Sequence, residues 1–149
     1  MEQEPIFEQK LKKIALYIAL FSLLLFVISL TQNAFRIDSE PNPYGWSNGF
    51  YLLILGWMGI IFGKASLAFY WLANPIYITA FILFFFKPKI SFYLSLLATL
   101  LALSFLFCGK VLTNENGEIS TISSYEAGYF LWVVSMLVLT IGSYLKRKG

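Results

Sequence analysis

Apolar and polar positions along this chain alternate neither with the period of a strand nor with that of a surface helix over most of its length. Instead, long apolar runs are separated by short polar ones. Ile14–Leu30 is 17 residues interrupted only by Ser22 and Ser29, Ile90–Cys108 is 19 residues without a charge, and Ala127–Leu145 is a third such run. Runs of this kind predict membrane-spanning helices. The first run is too long for the apolar segment of a cleaved signal peptide, and no small-x-small site follows it. It is expected to be a retained span.

A fourth apolar stretch, from Asn48 to Lys89, organises the rest. Between Gly49 and Phe86 lie 38 residues, about 57 Å of helix at a rise of about 1.5 Å per residue. The hydrocarbon core of a bilayer is roughly 30 Å thick, so this stretch is too long for one crossing and too short for three. The distribution of charge decides between one crossing and two. With one crossing, Lys10, Lys12, Lys13, Lys87, Lys89, Lys146, Arg147 and Lys148 share the cytoplasmic side, against Arg36, Lys64 and Lys110 outside. With two crossings the eleven basic residues divide almost evenly. The expectation is therefore an all-α membrane protein, a four-span antiparallel helix bundle with spans at about 14–30, 67–86, 90–108 and 127–145 and both termini cytoplasmic. The surplus at about 49–63 becomes an extra outer-leaflet or re-entrant helix, because backbone in lipid must be hydrogen-bonded internally. Lys64 is expected to snorkel from it to the interface.

Two polar stretches complete the outer side. Residues 31–48 carry Pro41, Pro43 and Gly45, the chemistry of a solvent-facing loop, with Tyr44 and Trp46 placed as interfacial anchors. In residues 109–124 the Asn116-Gly117 pair predicts a hairpin joining KVLTNE to EISTIS. That register would set Glu115 opposite Glu118. A two-stranded hairpin is marginal alone, so support from a neighbouring loop is required.

Composition sharpens the class and narrows the chemistry. Charged residues are 13% of the chain, against about 25% in soluble domains. There is no histidine, and Cys108 is the single cysteine. An internal disulfide, zinc sites built from Cys and His, haem ligation by His and histidine acid–base catalysis are thereby excluded. No cofactor or metal is expected. The net charge of +3 comes from groups flanking apolar runs, which points to membrane orientation rather than nucleic acid.

A few residues stand out against this background. Gly56, Gly59 and Gly63 would share a helix face, and Gly59-x-x-x-Gly63 is a small-x-x-x-small motif for close helix packing. Gly59 is accordingly expected to tolerate leucine less well than Ala98. Asn74-Pro75 lies inside a predicted crossing, where proline kinks the helix and the Asn74 amide is placed to satisfy the freed carbonyl. Asn74 would lie about 10 Å below the outer surface, within reach of a ligand. Glu126 precedes the last span, where the helix macrodipole favours a carboxylate, and Lys64 is its candidate partner. Trp46, Lys64, Asn74 and Glu126 are the candidate binding residues.

The segments FYWLANP (69–75) and GYFLW (128–132), with four spans and basic ends, resemble small bacterial inner-membrane proteins of no characterised activity. The resemblance implies a bacterial integral membrane protein and brings no activity with it. The expected function is an inner-membrane accessory or interaction protein, a complex subunit or immunity-type protein. It would be embedded in the lipid bilayer and would recognise another membrane or extracytoplasmic protein on its outer face. An oligomeric transporter or channel and an enzyme acting on a lipid-linked substrate are the alternatives. The chain is not expected to be an enzyme, since its membrane-proximal polar inventory offers no nucleophile with a base.

Overall fold

The structure, a computed structural model, describes residues 3–37, 47–61, 65–112 and 119–148, with side chains described from Phe7 onward except for those of 65–67 and Leu112. In chain order the elements are α1 (Gln3–Leu30), β1 (Phe35–Ile37), α2 (Gly49–Leu55), α3 (Ala65–Trp71), α4 (Ala73–Phe86), α5 (Pro88–Ser104), β2 (Lys110–Leu112), β3 (Ile119–Tyr125) and α6 (Ala127–Lys148). Turns of 3-10 helix, Gly56–Gly59 and Phe105–Phe107, continue α2 and α5.

Among the described residues four helical stretches are long and apolar enough to cross a membrane: Phe7–Leu30, Ala68–Phe86, Pro88–Phe107 and Ala127–Lys148. The first and last helices run past the apolar stretches that predict them. α1 continues back through the charged lead-in, where Lys12 and Glu8 pair at 3.8 Å one turn apart. α6 continues through its basic tail.

Buried positions on these helices recur with spacings of four and three. On α1 they are Ala15, Ala19, Ser22, Phe26 and Ser29; on α4, Ala73, Tyr77, Ala80 and Phe84; on α5, Ser91, Ser95, Ala98 and Ala102; on α6, Tyr129, Val133, Met136, Thr140 and Ser143. That spacing marks the seam along which the helices meet, with Asn74, Thr99, Ser135, Leu139 and Gly142 buried beside it. Most of the seam residues are small, as close packing between helices in lipid requires. At Gly142 an added Cβ would lie 3.1 Å from Ile18 Cγ2 and 3.3 Å from the Ala15 carbonyl oxygen. Ala98 is itself fully buried, so the expectation that it tolerates leucine better than Gly59 loses its basis.

Unlike a soluble bundle, this one is apolar on its exterior, and it holds hydroxyls among the apolar side chains of its interior. Hydroxyls sit inside, while Leu20, Leu24, Ile82, Leu100, Leu137 and Ile141 point outward and are exposed. The buried hydroxyls tie helices together. Ser22 donates to the Ser135 carbonyl at 2.6 Å and lies 2.8 Å from the Tyr77 hydroxyl. Since Ser22 has one proton, Tyr77 is the donor to it. By the same count, Ser91 donates to the Ala80 carbonyl at 2.7 Å and accepts from Ser143 at 2.8 Å.

The third crossing element shows what Asn74-Pro75 does. Helix is interrupted at Leu72 and resumes as α4, with Pro75 in its first turn, where the missing N–H costs least. At the other end of α4 the chain turns through Lys87 (φ −137°, ψ 71°), outside the helical region that a following proline disfavours. Pro88 then opens α5.

α2 and its 3-10 turn cover Gly49–Gly59. At about 1.5 Å per residue they reach roughly half the thickness of a bilayer core. Residues 62–64, and with them Gly63 and Lys64, lie outside the described residues, as do Trp46 and the Pro41–Gly45 turn.

The small sheet departs from a purely helical fold. Its order is β1-β3-β2, all antiparallel. β1, from the first polar loop, is the support that the hairpin needed. The hairpin register is not the expected one: Leu112 faces Ile119, whereas an unbulged two-residue turn at Asn116-Gly117 would set Leu112 opposite Thr121. The turn itself lies outside the described residues. A bulge on β3 pairs Arg36 with Ser124 but Ile37 with Ile122. It brings Tyr125 and Ile122, three residues apart, onto the face toward the bundle with Phe35, Ile37 and Val111. Arg36, Lys110, Thr121 and Ser123 are left facing outward.

Candidate functional site

α1 and α5 end, and α4 and α6 begin, at the end of the bundle that carries the sheet. The connections there are closed by backbone bonds. Ala34 N donates to the Ser47 carbonyl at 2.7 Å and Gly49 N to the Gln32 carbonyl at 2.9 Å, which starts α2 beside the last turn of α1. Glu126 N donates to the Ala34 carbonyl at 2.8 Å and Gly128 N to the Asn33 carbonyl at 2.9 Å, which starts α6 on the same strand. Gly49 and Gly128 are required by this closeness. An added Cβ would come within 2.5 Å of the Ser29 carbonyl oxygen at one and 2.6 Å of the Asn33 carbonyl oxygen at the other. Asn48 caps α2, its Oδ1 accepting from Phe50 N at 3.0 Å.

Aromatic rings fill the space where the helices part. Phe105 contacts Phe35, Tyr70, Tyr125 and Tyr129 at ring-centroid distances of 5.4–6.2 Å. Tyr125 and Tyr129 lie 4.9 Å apart, and Tyr129 meets Trp132 at 6.2 Å. The phenols are anchored to carbonyls at the end of α5 and in the turn that follows it. Tyr129 donates to the Ala102 carbonyl at 3.0 Å, and Tyr125 is 2.8 Å from that of Phe105 and 3.0 Å from that of Cys108. Burial pushes the Tyr125 hydroxyl above its ordinary value, with Cys108 and Tyr70 adding to the effect. Burial likewise raises the Cys108 thiol, against a weaker opposing backbone hydrogen bond at Lys110.

Between these rings and α2 lies a cavity of about 130 Å³. Leu52, Leu53, Gly56 and Met58 form one wall; Phe35, Tyr70, Asn74, Phe105, Tyr129 and Trp132 line the other. Trp71 fixes that wall to the bundle, donating from Nε1 to the Leu53 carbonyl at 2.8 Å. Gly56 packs on the same indole: a Cβ there would lie 2.4 Å from Trp71 Cδ1. Gly59 is buried in the 3-10 turn. The small-residue contacts between the spanning helices lie instead on α1, α5 and α6.

Asn74 is nine-tenths buried, and its Oδ1 accepts from Trp132 Nε1 at 2.8 Å. The amide thus reaches across to α6 rather than back toward the carbonyl freed by Pro75. Indole N–H is a donor only, which fixes Oδ1 toward Trp132 and leaves Nδ2 on the other side. Among the described residues Nδ2 has no hydrogen-bond partner.

Glu126 belongs to a different group. It supplies the carbonyl that accepts from Tyr129 N at 3.1 Å, at the mouth of α6. Its Oε1 is 2.7 Å from Arg36 Nη2, with Arg36 largely exposed. The partner found among the described residues is therefore Arg36 on β1; Lys64, the partner the sequence suggested, lies outside them. Trp132 and Arg36 are the functional partners that the sequence did not pair. The GYFLW motif marks the tryptophan, but nothing in one sequence shows that α6 meets α4 at this level.

Among the described residues no group of three or more His, Cys, Asp or Glu is placed to hold a metal ion. No protein-family model, curated protein or solved structure matches the chain.

Proposed function

We propose that the chain is a bacterial multi-pass inner-membrane protein, with both termini and the Lys87–Lys89 turn cytoplasmic and the sheet outside. In this reading α2 lies in the outer leaflet, and the protein is an accessory or interaction protein, a complex subunit or immunity-type protein. It meets a membrane or extracytoplasmic partner with its sheet end. The observation that carries the reading is an asymmetry between the ends. One end closes two helices with the single residue Lys87 between them. The other supports a three-stranded sheet that presents Arg36, Thr121 and Ser123 outward and that a plain bundle does not need. The apolar exterior of the bundle supports the membrane setting, and the eight basic residues at the plain end support its orientation. Folded loops held on a rigid scaffold are where binding usually resides.

The test is site-specific photo-crosslinking in living cells. A photoreactive residue at Thr121 or Ser123 should give one discrete protein adduct, lost when Arg36→Glu alters the same face. The same residue at Lys89 should give none. Adducts from Lys89 alone would overturn the reading.

A further inference from the structure

We propose that the cavity beneath α2 is a lipid site that takes part of one acyl chain of a membrane phospholipid, whose ester carbonyl accepts a hydrogen bond from Asn74 Nδ2. The proposal rests on the membrane setting above but not on the protein partner.

A buried amide N–H without an acceptor is costly, on the order of 1–3 kcal/mol, and buried polar groups are nearly always bonded. Asn74 Nδ2 is such a donor, held in place by the Trp132 bond on its other atom. The remaining lining says what kind of molecule brings the acceptor. Ser29, Trp71, Tyr129 and Trp132 each spend their polar atoms on the protein. Among the described residues Asn74 Nδ2 and the hydroxyls of Tyr51 and Tyr70 remain as unpartnered side-chain groups of the lining, and of these only Asn74 is nine-tenths buried; Phe35, Leu52, Leu53, Met58, Phe105 and Val111 make it apolar. A buried water makes about three hydrogen bonds, and an apolar cavity of roughly 150 Å³ stays dry and takes up a hydrocarbon. The volume here, about 130 Å³, holds a short run of methylenes. The required occupant has one acceptor at the head of an apolar chain.

The position of α2 supplies the source. Its side away from the cavity shows Phe50, Ile54 and Trp57, all exposed and apolar, the composition of a surface against lipid. Tyr51 lines the cavity and is itself half-exposed, so the cavity meets the surface beside that apolar side. A phospholipid acyl chain reaches Asn74 from there without crossing water.

The test uses the full chain in phosphatidylethanolamine–phosphatidylglycerol vesicles, with a phospholipid carrying a diazirine in one acyl chain. A second arm uses the free fatty acid with the same diazirine. Photolabelled residues are mapped by mass spectrometry. Cavity residues Leu52 and Met58 should be labelled by the phospholipid, alongside the outward residues Ile82 and Leu100, which report insertion alone. Two variants follow. Leu53→Trp fills the cavity; Asn74→Asp keeps an acceptor for Trp132 and removes the donor. Each should lower cavity labelling about tenfold, the scale of one lost hydrogen bond or a blocked site, with Ile82 and Leu100 unchanged. Unlabelled Leu52 and Met58 in the wild type, or equal labelling in Leu53→Trp, overturns the site. Loss in Leu53→Trp but not in Asn74→Asp overturns the carbonyl assignment. Cavity labelling by the free acid alone overturns the phospholipid. Absence of label at Ile82 and Leu100 overturns the membrane setting instead. Should Asn74→Asp fail to fold, Leu53→Trp still decides the site.

Discussion

The two ends of the bundle are built on opposite principles. At the basic end the seams are lined by small residues, Ala15 on α1, Ser91 on α5, Gly142 and Ser143 on α6. The helices there come close enough for one serine hydroxyl to join three of them. The charged groups beyond are held against aromatic rings. Lys146 donates to the Phe84 carbonyl at 2.8 Å and sits 4.3 Å over the Phe84 ring, and Arg147 sits 4.3 Å over that of Phe92. At the sheet end the same seams carry Phe26, Phe105, Tyr129 and Trp132. There the rings share the space around the helix ends with a sheet and a cavity, while the backbone still approaches closely at Gly49 and Gly128. α4 runs the other way, with Phe84 at the basic end and Ala73 at the sheet end. The lesson is that the size of the side chains along the helix contacts differs from one end to the other, small at the basic end and aromatic beside the cavity.

The largest expected effect concerns the direction of that contrast across the membrane. In cells expressing single-cysteine reporters, Ser123→Cys should react with an impermeant thiol reagent at once, and Lys89→Cys only after permeabilisation. The native Cys108 is nine-tenths buried and its thiol is held above the ordinary pKa. It should therefore stay protonated and nearly silent at pH 8, gaining reactivity only as pH rises further. The reverse pattern at Ser123 and Lys89 would exchange inside and outside.

Packing comes next. Gly142→Leu and Ala98→Leu should each lower stability by about 1–3 kcal/mol or prevent folding, since overpacking has no room to relax in a close seam. Gly109→Ala, at the sheet end, has nothing within 4 Å of the added Cβ and should leave the melting temperature in detergent unchanged. If Gly142→Leu melts like the wild type, the basic end is not the closed one.

A smaller effect is expected from the hydroxyl ties. Tyr77→Phe removes the donor to Ser22, and interhelical hydrogen bonds in membrane proteins average about 0.6 kcal/mol. A loss above about 2 kcal/mol in a thermal or denaturant melt would mean that polar bonds, rather than packing, hold the seam.

What the sequence made legible follows the same division. The four long apolar helices and the short apolar helix from Gly49 could be read because run length is a local property, and Asn74-Pro75 marked the neighbourhood of the break at Leu72, two residues ahead of it. The seam was also present, in Ala15, Ala19, Ser22, Phe26 and Ser29, but the glycines at 56, 59 and 63 drew attention as the conspicuous small residues. Serine in an apolar run is small enough to pack yet reads as a mere interruption. The sheet end was less legible because it is made by non-local meetings. Arg36 reaches Glu126 across 90 positions, Asn74 reaches Trp132 across 58, and β1 joins a hairpin from another loop. The hairpin itself was legible from its strands, whereas its register differs from the one an unbulged two-residue Asn-Gly turn would impose.

The smallest expected effect tests whether the sheet end is as loosely specified as the contrast implies. Arg36 and Glu126 form a 2.7 Å ion pair that links β1 to the start of α6. Arg36 is 65% exposed and Glu126 25%, so water and salt screen the pair, and exposed ion pairs contribute a median of about 0–1 kcal/mol. A double-mutant cycle with Arg36→Gln and Glu126→Gln should give a coupling of about 0.5 kcal/mol, falling toward zero in 1 M salt, where the Debye length is about 3 Å. The global melting temperature should barely move, because the main chain still joins β1 to α6 through the bonds at Ala34 and Asn33. Amide exchange in β1 and β3 should quicken in either single variant, since the pair restrains the sheet against opening. A coupling above about 2 kcal/mol that persists in high salt would show the pair desolvated and the sheet end fixed as firmly as the basic end. In that case the difference between the ends would lie in shape alone.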